Sequence, residues 1–226
     1  MEKTVLEFSH VTEKKRLFHK FHLEDISFAL KEGYIYALMG KNGAGKSTLL
    51  NRIIKEQKDY SGTISFLGKD LKKEHAFAMQ RIGFVSEDRS FLEKRTCMQN
   101  ADILGRLYDD FDITLFRKIL KEAGGKPEGT YGKLSRGEKM KFQLAFAAAY
   151  HPQLYLFDEA DAGMDAVFRE EFWKLLQHLV AESCASVLLT SHITSEVMLH
   201  ADYIGIMEEG RLVHFAESGD YETHRK

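Results

Sequence analysis

The sequence predicts an α/β fold: a core with a mostly parallel sheet, an antiparallel β subdomain on its N-terminal side and a helical subdomain inserted in the core. Three observations lead there. Short apolar runs, of the kind that read as fully buried strands, alternate with stretches of helical periodicity. A glycine-rich run from Gly40 to Thr48 joins one such strand directly to a helix. A long, mostly helical stretch, roughly residues 93–150, separates two of the strands.

Residues 5–8 and 26–30 flank a polar stretch and read as antiparallel strands. Residues 34–39 form an apolar strand that runs into the glycine loop. The helix after it starts near Ser47 and carries Leu49, Leu50, Ile53 and Ile54. The turn pairs Ser61-Gly62 and Gly68-Lys69 bracket a short strand at 63–67, and residues 82–86 make another. The helical stretch is interrupted by Gly124-Gly125-Lys126-Pro127-Glu128-Gly129. It ends at His151-Pro152, because a residue before proline is pushed out of helical geometry. A buried strand at 154–158, a helix at 165–181 and a strand at 186–190 follow. Residues 204–207 and 212–215 read as a hairpin about Glu209-Gly210. Residues 1–226 are read as one domain, with the helical subdomain at about 88–150.

The run Gly40-Lys41-Asn42-Gly43-Ala44-Gly45-Lys46-Ser47-Thr48 fills the phosphate-loop pattern G-x-x-x-x-G-K-[ST] completely. Gly40, Asn42, Gly43, Gly45 and Thr48 belong to a backbone cradle for phosphate oxygens, which the helix N-terminus reinforces with its partial positive charge. Lys46 is expected to reach the β- and γ-phosphates, and the Ser47 hydroxyl to hold Mg²⁺. The apolar strand at 154–157 ends in Asp158 and Glu159. Carboxylates are costly at such a position unless they pair or hold metal. Asp158 is therefore expected to take Mg²⁺, and Glu159 to orient and deprotonate an attacking water. Standing alone, the same pair would be a strand end with a capping aspartate. Ser135 and Glu138 fit a capping box, and the helix they open, with Gly137 in its first turn, presents a further N-terminus to phosphate. In a parallel sheet, ligands bind at the carboxyl ends of the strands, where the phosphate loop, Asp158 and His192 all fall.

With these motifs in this order, the chain resembles the ATP-binding subunits of ABC transporters over nearly its whole length. GKNGAGKST is similar to the family's Walker A and LSRGE to its signature. LYLFDE resembles Walker B with its catalytic glutamate, and Ala162-Gly163-Met164-Asp165 the D-loop. Leu189-Thr190-Ser191-His192 resembles the switch-histidine segment. The resemblance implies ATP and Mg²⁺ as ligands and a head-to-tail dimer, with an identical or homologous chain. Each ATP would lie between the Walker A of one copy and the signature of the other, with Ser135 and Gly137 closing on the γ-phosphate. His192 would sense that phosphate. It also implies one or more integral membrane subunits as partners, and a place on the inner face of the cell membrane.

The chain departs from the family at several points. Glu87 stands where a glutamine is usual. It keeps an oxygen able to ligate Mg²⁺ and adds a negative charge near the attacking water. In the family the chain resembles, this variant goes with drug, bacteriocin or peptide exporters, so the resemblance leans towards export. The plainer alternative is a solvated loop residue. Arg136 replaces a signature glycine and either adds charge near the partner's phosphate or faces solvent. The proline usual after Walker B is missing from Ala160-Asp161-Ala162. Adenine is expected to stack on Phe18, with Phe21 second; Phe18 equally suits packing in the N-terminal sheet.

A net charge of −2 gives no bulk attraction to nucleic acid, and none is expected as a partner. Cys97 and Cys184 are far apart and read as ordinary thiols of a reducing compartment. No run approaches the roughly 20 apolar residues that span a bilayer, so the chain is read as cytoplasmic and peripheral. The competing readings are an importer ATPase and a soluble relative serving an assembly machine such as iron–sulfur cluster biogenesis.

Overall fold

In the computed structural model, which describes residues 3–14, 21–86, 89–159, 166–192 and 194–221, strand β3 (Ile35–Met39) is buried along its whole length. Its alternate side chains serve two separate cores, as the pleat requires. Ile35, Ala37 and Met39 join Phe142, Phe157, Trp173 and Leu189 on one face. Tyr36 and Leu38 join Leu6, Phe8, Leu49 and Ile53 on the other. β3 pairs in parallel with β8 (Ser186–Thr190) and β9 (Tyr203–Glu208). β8 pairs with β7 (Leu154–Asp158), and β7 with β6 (Ile82–Ser86), both in parallel. β10 (Arg211–Glu217) closes the other edge, antiparallel to β9, so the order is β10-β9-β3-β8-β7-β6.

A second, four-stranded sheet covers the Tyr36 face. β1 (Thr4–Glu13) lies between β2 (Ile26–Lys31) and β4 (Tyr60–Phe66), both antiparallel to it, and the two-residue β5 (Lys69–Asp70) pairs with β4. β2 alternates buried and exposed residues without a break, as a half-covered strand must. The antiparallel subdomain, the parallel core and the helical insertion are thus present as expected. The strand expected at 63–67 is longer and starts earlier, at Tyr60. Three helices lie outside the expected elements. α2 (Leu71–Met79) buries only Leu71 and Ala78 and leaves helical geometry at Glu74, so its apolar period is weak. α7 (Thr194–His200) and α8 (Ser218–Tyr221) are too short to show one.

The insertion contains α3 (Cys97–Gly105), α4 (Ile113–Glu122) and α5 (Arg136–Ala148). Thr96 and Gln99 form a capping box that opens α3, and Asp112 caps α4 through the amides of Thr114 and Leu115. Their core is aromatic: Phe91 meets Phe142 edge-on at 4.8 Å, and Phe116 meets Phe142 at 5.6 Å. Phe91 is buried there, with Met98, Leu104 and Tyr108 packed against it, while Leu92 stands at the surface.

β6 is an edge strand, and its outward backbone groups would be left without a ladder. Side chains satisfy them instead. The Tyr150 hydroxyl donates to the Ile82 carbonyl at 3.0 Å, Arg89 donates to the Phe84 carbonyl, and the Gln143 amide takes both groups of Ser86. Gln143 lies in α5 and Tyr150 just past its end, so the helix runs antiparallel to β6. Its N-terminus at Ser135 therefore points towards the carboxyl end of the sheet.

A buried ion pair joins the two layers. Arg52, in the helix α1 (Lys46–Ile54), binds Glu13 at the end of β1, and both are more than nine-tenths buried. Glu13 also accepts from the Leu23 amide at 3.0 Å, and Arg52 reaches Asp59. Glu13→Ala should destabilise the fold by about 3 kcal/mol, because it leaves a buried guanidinium with Asp59 alone and takes the acceptor from the Leu23 amide. Urea unfolding should show a lower midpoint at unchanged slope.

Candidate nucleotide site

The phosphate loop follows β3, which is buried throughout, and α1 begins at its last residues. Gly40, Gly43 and Gly45 have φ of 153°, 81° and 111°. The requirement is sharpest at Gly40 and Gly45. A Cβ on Gly40 would lie 2.4 Å from the Met207 carbonyl, and one on Gly45 would lie 2.6 Å from the Phe21 ring. Asn42 is exposed on the loop, and Thr48 is half-buried in the first turn of α1.

Lys46 is 4% exposed. Its ammonium donates to the carbonyls of Gly40 at 2.8 Å and Lys41 at 3.3 Å. Burial pushes its pKa below the usual lysine range, and the carboxylates of Glu159 and Asp158 work against that shift. The ammonium is thus held inside the loop, facing two acids across the site.

Those acids sit at the end of β7. The Ser47 hydroxyl donates to Asp158 Oδ1 at 3.0 Å, and the Thr190 hydroxyl donates to the same oxygen at 2.8 Å. The Glu159 amide in turn donates to Thr190 Oγ1 at 2.8 Å. Glu159 has φ of 50°, an uncommon conformation for a non-glycine residue. Its carboxylate meets His192 Nε2 at 2.8 Å, just past the end of β8. One chain of contacts therefore runs from the phosphate loop through Ser47, Asp158, Thr190 and Glu159 to His192. Thr190 is the member that residue-by-residue reading missed as a functional group. Its signal was a polar residue ending an otherwise apolar strand.

Ser47 and Asp158 offer two hard oxygen donors 3.0 Å apart, which suits Mg²⁺. Among the described residues, no group of three or more His, Cys, Asp or Glu could hold a metal by itself. Any further ligands to such an ion would come from phosphate and water, which is the usual way Mg²⁺ is bound.

Beside the loop lies a cleft of about 1130 Å³, lined by Phe21, Lys41, Asn42, Gly43, Met207 and Arg211 among others. Phe21 is partly exposed there, 37% by area, and its ring touches Gly45. Phe18, the first expectation for an adenine platform, lies outside the described residues, as do Glu87 and the segment from Ala160 to Asp165. Ser135 caps α5 with a full capping box. Its Oγ accepts from the Glu138 amide at 3.3 Å, and Glu138 Oε2 accepts from the Ser135 amide at 2.9 Å. Gly137 follows in the first turn. Ser135 is exposed and finds its partner in Glu138, not in the phosphate loop of its own chain.

These features define a nucleotide-binding protein of the phosphate-loop class. A profile of the family described as "ABC transporter" matches residues 23–162. The chain belongs to that family, as an ATP-binding domain. It is 35% identical over 190 residues to the ABC transporter ATP-binding protein YtrB of Bacillus subtilis, covering 84% of this chain and 65% of that protein. It is 29% identical to the bacitracin transport ATP-binding protein BcrA of Bacillus licheniformis, over 84% of this chain and 63% of that protein. It is 30% identical to the Nod factor export ATP-binding protein I of Burkholderia lata, over 88% of this chain and 67% of that protein. The chain thus spans just under two thirds of the length of YtrB and BcrA. Among solved structures, an ATP-binding subunit of an ABC transporter superposes with a TM-score of 0.85 at 23% identity, covering 97% of this chain and 92% of the other. A dimeric post-hydrolysis ATP-binding cassette with ADP and Pi superposes at 0.83 and 21% identity, over 94% and 98%. These structures share the fold. No helix among the described residues is long and apolar enough to cross a membrane.

Glu138 supplies a test of the α5 cap. Hydrogen bonds from Ser135, backbone first, and the Lys126 ammonium at 3.0 Å hold its carboxyl down at about 2, against 4.5 in an open chain. A depressed carboxyl stabilises the fold above the unfolded value and loses that contribution as pH falls through the folded one. The melting-temperature gap between wild type and Glu138→Ala should therefore be full above pH 5 and narrow steadily towards pH 3.

Proposed function

We propose that the chain binds and hydrolyses ATP, with Mg²⁺, and powers export through a separate membrane subunit. The observation that carries the reading is the contact chain from Ser47 through Asp158 and Thr190 to Glu159 and His192. Lys46 exchanges its two loop carbonyls for β- and γ-phosphate oxygens. The amides around Gly43 and Gly45 and the N-terminus of α1 hold the rest of the phosphate tail. Ser47 and Asp158 hold Mg²⁺, whose role when bound is to neutralise charge on the phosphates. Glu159 orients a water and takes its proton as the water oxygen attacks the γ-phosphorus. ADP leaves with the bridging oxygen. His192 keeps the Glu159 carboxylate in place and reports the γ-phosphate by donating to it. Glu87, beyond the end of β6, is assigned to the same cation and water. Phe21 provides the aromatic wall for the base. Its place in the cleft supports that role, and Phe18, the first expectation, lies outside the described residues.

The exposed Ser135 and the amide-rich start of α5, including Gly137, face outwards. This suits a head-to-tail dimer in which they complete the partner's ATP site, whether that partner is identical or homologous. Residues 1–226 act as one unit, with the helical part at about 88–150 inserted in it. Support for export comes from the Nod factor export relative, whose name carries it; the names of the bacitracin transport protein and, in Escherichia coli, a probable multidrug ABC transporter ATP-binding protein with 32% identity carry transport. An amphipathic peptide, antibiotic or drug is the corresponding substrate class. A membrane subunit anchors the chain at the inner face of the cell membrane.

Glu159→Gln should keep ATP affinity, cut turnover by about a hundredfold or more, and trap an ATP-bound dimer visible by size-exclusion chromatography. Near-normal turnover would remove Glu159 from the base role. Lys46→Ala should weaken ATP binding by about tenfold or more in a fluorescence titration, since it removes a charge-assisted contact. Undiminished binding would contradict the phosphate-loop assignment.

A further inference from the structure

A second cleft, of about 790 Å³, opens among the helices. α4 and α5 supply one wall, and α6 (Ala166–Ser183), which packs on β3 and β8, supplies the other. His151, Pro152 and Gln153, which lead into β7, also line it. They stand at the amino end of that strand, whereas the phosphate loop lies at the carboxyl ends. The walls are apolar: Ile119 comes from α4, Leu144 from α5, and Leu175 and Leu179 from α6. Three exposed carboxylates join them, Glu122 on α4 and Glu171 and Glu182 on α6. Glu171, Leu175, His178 and Glu182 follow at intervals of four, three and four, so α6 presents them on one face. Its two acids lie about 16 Å apart along the helix. Lys141 is the lone lysine or arginine among the described residues of the lining. Glu122 shares its charge with Lys118 at 4.0 Å, and His151 and His178 carry no fixed charge. The cleft is therefore apolar within and net negative at its exposed margin.

An apolar body entering such a cleft gains by leaving water, roughly 25 cal/mol for each Å² it buries. A positive charge at its edge gains further from the carboxylates, and an anion of the same shape meets three like charges. The volume is that of a site for a drug-sized molecule. We propose that this cleft binds an amphipathic organic cation, which bridges the helical insertion and α6. The inference does not use the nucleotide reading, and the site it names is separate from the nucleotide cleft.

Tetraphenylphosphonium and tetraphenylborate have the same shape and opposite charge. In calorimetric titrations of the whole chain, the cation should bind about tenfold more tightly than the anion, or better. In hydrogen–deuterium exchange, the cation should protect residues 115–123 and 171–183 together. Saturating ATP should leave it bound. Joint replacement by Glu122→Gln, Glu171→Gln and Glu182→Gln keeps the shape of the cleft and removes its charge. The preference for the cation should then shrink to within about threefold. Equal affinity of wild type for the two ions, an unchanged preference in the triple variant, protection elsewhere, or displacement by ATP would each overturn the proposal. Loss of cation binding as the chain self-associates would assign this face to a second copy, and would overturn it too. The comparison of the two ions needs no variant, so misfolding of the triple variant leaves the test intact.

Discussion

The rest of the structure depends on keeping one ammonium, that of Lys46, nearly out of water and still charged. A buried lysine is stable only if carbonyls accept from it and carboxylates face it. The loop supplies the first through Gly40 and Lys41, and the ends of β7 supply the second through Asp158 and Glu159. That demand explains the glycines: a backbone with side chains at Gly40 or Gly45 could not bend close enough without striking Met207 or Phe21. It also explains why β3 lies deep within the sheet. A strand flanked by β8 and β9 gives the loop a rigid floor, and the carboxyl ends of neighbouring parallel strands bring Thr190 and the acids to the same rim.

The sheet's opposite edge shows a second economy of polar groups. β6 has a partner on one side only, and the helical insertion answers its free backbone with Gln143, Arg89 and Tyr150. Edge protection and functional placement are thus met by the same side chains. The bonds that shield the strand also set the direction of α5 and carry its capped N-terminus to the site end of the sheet. The ion pair of Arg52 with Glu13 does the equivalent on the other face, tying α1 to β1 and, through the Leu23 amide, to the segment that carries Phe21.

Much of this was legible in the residues. The phosphate loop, the acid-ended strand and the capping box of Ser135 with Glu138 are local patterns, and local patterns survive in a linear reading. Phe21 was the second expectation for an adenine platform, after Phe18; its ring lies against Gly45. What was missed follows a rule. α2 escaped because only Leu71 and Ala78 of its nine residues are buried. Gln143 and Thr190 escaped because a polar residue in an apolar run declares its purpose only through a distant partner.

The sequence by itself determined the strand–loop–helix unit, the order of the motifs and the alternation of β2, because each depends on backbone conformations and spacings of a few residues. Tertiary structure alone decided which strand ends meet. Ser47 and Asp158 are 111 residues apart, yet share a hydrogen bond because β3, β8 and β7 lie side by side in parallel. No local preference encodes that order. It is the arrangement that lets both faces of β3 be buried while Lys46, Asp158 and Glu159 find their partners at the rim.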